Sequence, residues 1–340
     1  MRRKKALFIC NPMYGYYKNI ILELELHGWN VDYCNDKPTE NSFFKGMMKI
    51  KKSLLKPLVK KYFDKLISEI KEKNYDLVFI TNCKVFTTEM IKQMRNIQKS
   101  ARFVLYMWDS LKLYPDNIDL IPLFDDAYSF DLEDCEKIDG LKFLPLFYCR
   151  GFEKVGQMLE EDVKYDIASV CTAHPNRYKI MRVLFPKLEA NGVRIFSYMY
   201  LNKLQYLYNR VRVPEFKGVK SNEFKFIPLS EKENLEVLKR SNNVFDIPHI
   251  NQSGLTMRTI ETLGARRKMI TTNVDIKKYD FYNENNIFVM DEWNLEEIED
   301  FINRKYEPID DEVYRKYSVS NWLDTIINDE DNKYLASKIG

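Results

Sequence analysis

The chain has 340 residues, 45% hydrophobic and 14% aromatic, enough apolar material for two packed cores and too long for one ordinary α/β core. Its formal net charge is only +3, so global electrostatics give no case for a nucleic-acid partner. No stretch approaches the ~20 apolar residues of a membrane span, and the run Ala6–Cys10 behind MRRKK is too short for a secretory segment.

Six scattered cysteines form no CxxC pair, which reads as buried thiols in a reducing compartment. A cytoplasmic protein is the expectation, with a peripheral position on a membrane left open.

In chain order, short apolar runs alternate with helical patterns, the grammar of parallel sheets covered by helices. Lys5–Cys10 reads as a strand, Tyr17–His27 as a helix ended by Gly28, and Asn30–Cys34 as a strand. A long basic helical region, Phe44–Lys73, follows, broken at Pro57. Next come strand Asp76–Thr81, helix Thr88–Lys99, strand Arg102–Trp108, a short helix near Ile118–Phe124, and strands Ala127–Phe130 and Phe143–Phe147. A charged stretch, Gly151–Lys164, then separates two halves of similar pattern.

The second half opens with strand Asp166–Cys171, helix Arg177–Ala190 stopped at Asn191–Gly192, and strand Val193–Tyr198. A Tyr-rich helical segment runs to about Arg210, followed by strand Phe224–Ile227 and helix Lys232–Arg240. Strand Val244–Ile247, a polar turn Asn251–Gly254, helix Leu255–Arg266 and strand Met269–Thr272 come next. Strand Ile287–Val289, helix Leu295–Asn303 and a polar helical tail, Asp310–Gly340, complete the chain. The fold class expected is α/β, two Rossmann-like halves with a cleft between them. Ligands in such sheets bind at the carboxyl ends of strands.

The most informative segment is Asn243–Thr272. Its turn brings together Gln252, Ser253, the amides around Gly254, Thr256 and Arg258. A helix N-terminus with free N–H groups, a glycine permitting close approach and a nearby arginine form an anion site. Glu261 follows Arg258 by three residues, so both look off one helical face. Phosphate-binding groups beside a hydroxyl-binding carboxylate point to a nucleotide-sugar.

Other candidates follow strands. Asn11, Tyr14 and Gly15 lie in the first strand–helix turn, which holds a single glycine and no GxGxxG. No GxxxxGK[ST] occurs either, so dinucleotide and P-loop readings are set aside. Asp109 ends FVLYMWD and reads either as a general base or as a helix cap. Asp131 reads as a cap. Thr172, His174 and Arg177 lie in or beside TAHPNR, where Arg177 could clamp a diphosphate and His174 donate to it. His249 follows Pro248 and suits a base contact or simple packing. Three dispersed histidines and unpaired cysteines give no zinc spacing. Lys45–Lys73 carries ten lysines against three acids. It reads as an anionic-membrane surface or as a solvated helix face packed on the sheet. Tyr198–Arg212, an aromatic-basic cluster, is also ambiguous, reading as an amphipathic helix at the cleft or as core packing.

Four segments stand out together, LYMWDS, SFDLEDC with the following FLPLFY, TAHPNRYKI, and FDIPHINQSGLTMRTIETLGARRKMITTN. In this order they resemble bacterial nucleotide-sugar glycosyltransferases of the GT-B fold, in particular the CgeB-like and lipopolysaccharide or capsule biosynthesis group. The resemblance implies residues 1–155 as an acceptor domain, 160–312 as the nucleotide-sugar domain and 313–340 as a helical tail returning to the first domain. It implies that Ser253-Gly254 contacts diphosphate and Glu261 the ribose. Ser253 stands where the broader family often has a first acidic residue, eight positions before that glutamate. The expected activity is transfer of a sugar from a nucleotide-diphosphate donor to a glycan or lipid-linked acceptor, with no cofactor and no bound metal. A nucleotide-sugar epimerase and a non-catalytic sugar-nucleotide-binding subunit are the alternatives.

Overall fold

The computed structural model describes residues 2–12, 15–41, 44, 46–48, 51–158, 163–248, 254–291 and 294–328. The chain divides into two compact units. One comprises Met1–Pro145 and the last helix from Trp322; the other is Leu146–Asn321.

The first unit is built from β1 (Lys5–Ile9), α1 (Tyr16–Leu26), β2 (Asn30–Cys34), α2 (Lys56–Ile70), β3 (Leu77–Thr81), α3 (Thr88–Ile97), β4 (Arg102–Met107), β5 (Asp126–Ser129), α4 (Leu132–Lys137) and β6 (Leu141–Phe143). Its six strands are ordered β2-β1-β3-β4-β5-β6, and every pairing is parallel. β3 is buried along its whole length, which is why its sequence reads as a continuous apolar run without alternation. The chain direction across the sheet reverses between β1 and β3, and the carboxyl ends of those two strands form the switch point where ligands of such sheets bind.

Two expectations change here. Pro57 opens α2 instead of breaking a longer helix, because proline lacks only an N–H that the first turn does not need. A 3-10 turn, Lys52–Leu55, precedes it. The strand expected at Phe143–Phe147 pairs only over Leu141–Phe143, while Leu144, Leu146 and Phe147 are buried without joining the sheet. α2 turns Val59, Phe63, Leu66 and Ile70 inward, at the spacing of one helical face, and exposes Lys56, Lys60, Lys61 and Lys65. Asp131 caps α4, accepting from the Glu133 amide at 3.1 Å.

The second unit contains α5 (Arg150–Gln157), β7 (Tyr165–Thr172), α6 (Pro175–Ala190), β8 (Ile195–Tyr200), α7 (Lys203–Arg212), α8 (Glu231–Lys239), β9 (Ser241–Asp246), α9 (Met257–Gly264), β10 (Lys268–Thr271), β11 (Ile287–Val289), α10 (Leu295–Asn303) and α11 (Asp311–Lys316). Its five parallel strands are ordered β11-β10-β9-β7-β8, so the switch point falls between β7 and β9. α5 and α9 approach closely because Gly156 leaves room for the α9 backbone, and Gly264 leaves room for Tyr148. A Cβ on Gly156 would lie 2.6 Å from the Gly264 carbonyl oxygen, and one on Gly264 would lie 2.5 Å from the Tyr148 ring.

Phe224–Ile227 is not a strand. A single bridge joins Lys225 to Tyr200, and Phe224 packs with Tyr178, Leu201, Tyr206, Phe216 and Val219 in a small separate core. The Tyr-rich segment is likewise divided: Tyr198–Tyr200 belong to β8, and the helix starts at Lys203 behind an Asn202 cap.

α12 (Val319–Asn328) ends the described chain. The tail was expected to be polar, yet Trp322, Leu323 and Ile326 are fully buried. The Trp322 ring lies 5.9 Å from Phe79 and 4.8 Å from Tyr106, edge-on to the latter. Arg102 donates to the Ile326 carbonyl at 2.6 Å.

Candidate functional site

Two groups of polar side chains gather at the switch points, one in each unit. In the second unit the group is assembled from β7, α6, β9 and α9. Asp246 ends β9 and is 4% exposed. Thr256 donates to its Oδ2 at 2.6 Å and caps α9 with the same oxygen, accepting from the Thr259 amide at 3.1 Å. This cap explains why α9 begins at Met257, two residues later than expected: a Thr in extended conformation with its hydroxyl on the third following amide is a strong start signal. Gly254 precedes the cap, is buried, and accepts from Asn273 Nδ2 at 3.4 Å.

Arg177 spans the switch point. Its Nη1 donates to the Thr172 carbonyl at 2.8 Å and its Nε to the Ile247 carbonyl at 2.9 Å, and Nη2 lies 3.4 Å from Asp246 Oδ1. The guanidinium thus ties the ends of β7 and β9 together, a fork geometry that lysine lacks. His174 is the N-cap of α6 and is half-buried, without a side-chain cap bond to that helix. On α9, Arg258 and Glu261 form an ion pair at 2.9 Å, with side chains 17% and 4% exposed. Asn234 on α8 accepts from Arg258 Nη1 at 2.9 Å. Their shared helical face was readable from the spacing; Asn234 was not, since only the packing of α8 brings it there.

In the first unit, Asn82 follows β3 with φ at +47° and is fully buried. A left-handed backbone at a non-glycine residue is tolerated best by asparagine. Its side chain is fully engaged: Oδ1 accepts from the amides of Trp108 and Asp109 at 3.0 and 3.3 Å, and Nδ2 donates to Asp109 Oδ2 at 2.7 Å. Lys84 lies 2.8 Å from the same Asp109 oxygen. Burial works against the Lys84 charge, but Asp109 and Tyr114 outweigh it and raise its pKa above the ordinary lysine range. Asp109 caps no helix, since the next helical turn starts at Pro115 behind Tyr114. The sequence carried no signal for Lys84. Asn11, 6% exposed, follows β1. Gly15 adopts φ of +80° at the start of α1, the conformation that makes glycine suited to this turn. Burial pushes the neighbouring Cys10 thiol up to about 12, as expected of a thiol packed in an apolar core.

No family model matches the chain, and no curated protein matches it. Solved structures do. An α-glucosyltransferase in complex with UDP and a 13-mer DNA superposes with a TM-score of 0.60 at 12% identity, covering 96% of this chain and 99% of that one. The fold is GT-B. Anabaena Alr3699/HepE in complex with UDP and glucose is similar at a TM-score of 0.56 and 12% identity, over 96% and 99% of the two chains. UDP-GlcNAc 2-epimerase from Neisseria meningitidis, bound to UDP-GlcNAc, gives 0.53 at 10% identity over 95% and 98%.

Within this GT-B chain the expected residues are distributed as follows. Thr172, Arg177, Thr256, Arg258 and Glu261 lie at or beside the β7–β9 switch point, with His174 at the start of α6 and Gly254 just before α9. Asn11 and Gly15 follow β1, and Asp109 follows β4. Tyr14, His249, Gln252 and Ser253 lie outside the described residues. Among the described residues, no group of three or more His, Cys, Asp or Glu side chains is placed to hold a metal ion, and no helix is long and apolar enough to cross a membrane.

Proposed function

We propose that this chain is a glycosyltransferase of hexosyl type. It moves a sugar from a nucleotide-diphosphate donor to a glycan or lipid-linked acceptor in surface-polysaccharide synthesis, within the CgeB-like group. The observation that carries the reading is the cluster at the β7–β9 switch point: a capped helix N-terminus, an arginine and a buried carboxylate on one face, in a fold shared with two structures that hold UDP.

The donor diphosphate sits against the Gly254–Thr256 approach to α9, with Arg258 meeting its charge and His174 and Arg177 beside it. Glu261 accepts from the ribose hydroxyls, exchanging its Arg258 contact for them. Gln252, Ser253, Thr172 and His249 complete the donor set, and Asn11, Tyr14 and Gly15 meet the acceptor. Charge developing on the leaving diphosphate is stabilised by donors already in place. Asp109 takes the proton of the acceptor hydroxyl as its oxygen bonds to the anomeric carbon and the nucleoside diphosphate departs. That assignment describes an inverting, metal-independent transfer. Exposed lysines of the Lys45–Lys73 segment hold the enzyme at the inner face of the cell membrane.

The first test is a thermal-shift panel with UDP, GDP, dTDP, CMP and ADP. A ligand at a hundred times its Kd adds about 2.7 kcal/mol to the native state. One nucleotide diphosphate is expected to raise the melting temperature, and Glu261→Ala is expected to abolish that rise. Five flat responses overturn the donor reading. Asp109→Asn should spare the shift and remove turnover. The likeness to a UDP-GlcNAc 2-epimerase favours one second reading. Product analysis separates the two, because an epimerase converts the donor with no acceptor present.

A further inference from the structure

α7 is amphipathic the wrong way round. A helix on a folded unit turns its apolar stripe inward. α7 instead buries Tyr206 and Asn209 and turns outward Leu204, Leu207, Tyr208 and Val211, which are 69%, 58%, 60% and 80% exposed. Their spacing of three, one and three places all four on one face. Single exposed apolar residues are ordinary, whereas a contiguous stripe marks an interaction surface. Ile227, 76% exposed, lies in the same excursion between β8 and α8.

The charge around the stripe selects its partner. Lys203, Arg210 and Arg212 lie on the helix, and Lys217 and Lys220 follow it; all five are exposed, against one acid, Glu215, in Lys203–Lys220. We propose that α7 lies in the interfacial plane of an anionic bilayer, its leucines, tyrosine and valine among the acyl chains and its cations over the headgroups. A second copy fits poorly, because two-fold pairing sets like-charged flanks against each other. Duplex DNA would use the cations and leave the apolar stripe in water. The residues of this surface include none of the donor residues and none of the α2 lysines, so the proposal does not rest on nucleotide binding.

The test is co-sedimentation of the intact chain, without nucleotide, with phosphatidylcholine vesicles and with phosphatidylcholine–phosphatidylglycerol vesicles. Binding to the anionic vesicles is expected, weakened by salt as exposed charges are screened. The double variant Leu207→Glu/Val211→Glu should lower it by about tenfold or more, since it removes apolar burial and adds repulsion. Arg210→Glu/Arg212→Glu should remove the preference for anionic vesicles. Leu22→Glu, at an exposed apolar residue on α1, should bind as the parent does, and melting curves report that each variant folds. The proposal is overturned if the parent ignores both vesicles, or if the α7 variants bind normally while Lys60→Glu/Lys61→Glu does not. It is also overturned if the α7 changes instead abolish duplex DNA binding or dissociate an oligomer.

Discussion

Thr256→Val removes one hydroxyl and changes the shape of the side chain very little, so its effect can be worked from two hydrogen bonds. The first is the cap on α9, at 3.1 Å to the Thr259 amide; losing such a cap costs about 1 kcal/mol. The second is the 2.6 Å bond to Asp246. A buried carboxylate deprived of a donor costs about 2 kcal/mol. The expected loss is therefore ~3 kcal/mol in the second unit, while Thr256→Ser, which keeps both bonds, should stay within about 1 kcal/mol of the parent. Native-state hydrogen exchange of peptides covering β9 and α9 reads this unit directly, whatever the first unit does. The reasoning fails if the valine variant protects those amides as well as the parent, or if serine is as damaging as valine. Because the same bonds fix the start of α9, the valine variant should also bind the nucleotide found in the thermal-shift panel more weakly than the serine variant.

Gly264→Ala should destabilise the second unit by about 2 kcal/mol. The ~1 kcal/mol gain in helix propensity is outweighed by forcing a methyl to 2.5 Å from the buried Tyr148 ring, at the upper end of the ~1–3 kcal/mol overpacking range; the urea midpoint measures it. Acid should weaken the first unit through Asp126. Burial pushes its carboxyl up, but Lys142 and Arg102, each at 2.6 Å, outweigh burial and hold it below the ordinary carboxylate range. A depressed carboxyl contributes stability that is present above its unfolded value, about 4, and is lost as pH falls through the folded value. Asp126→Asn should therefore show a smaller loss in urea midpoint between neutral pH and pH ~3 than the parent; an equal loss refutes the assignment.

Much of the architecture was legible because burial writes itself into the chain. Asn30–Cys34, Ile287–Val289 and Leu295–Asn303 form with the boundaries their patterns suggest, and both sheets are parallel as the alternating grammar requires. Phe224–Ile227 misled for a physical reason. Phe224 and Phe226 serve a local core under α7, not a sheet, while Ile227 stays exposed, and a short apolar run does not say which surface will cover it. The site was legible where chemistry depends on spacing within one element, as with Arg258 and Glu261. It was illegible where partners meet only through tertiary packing, as with Lys84 against Asp109 and Asn234 against Arg258.

The burial of Trp322 against Phe79 and Tyr106 has a consequence for biosynthesis. The six-stranded half is encoded almost entirely within Met1–Pro145, yet its aromatic plug is translated only after Leu146–Asn321, the second unit, has been made. While the ribosome is still at work, that half waits with an open socket beside β3 and β4. A nascent chain stopped before residue 322 should therefore display apolar surface that a chain carried past Ile326 conceals, so the first half closes its core only after the second has been made.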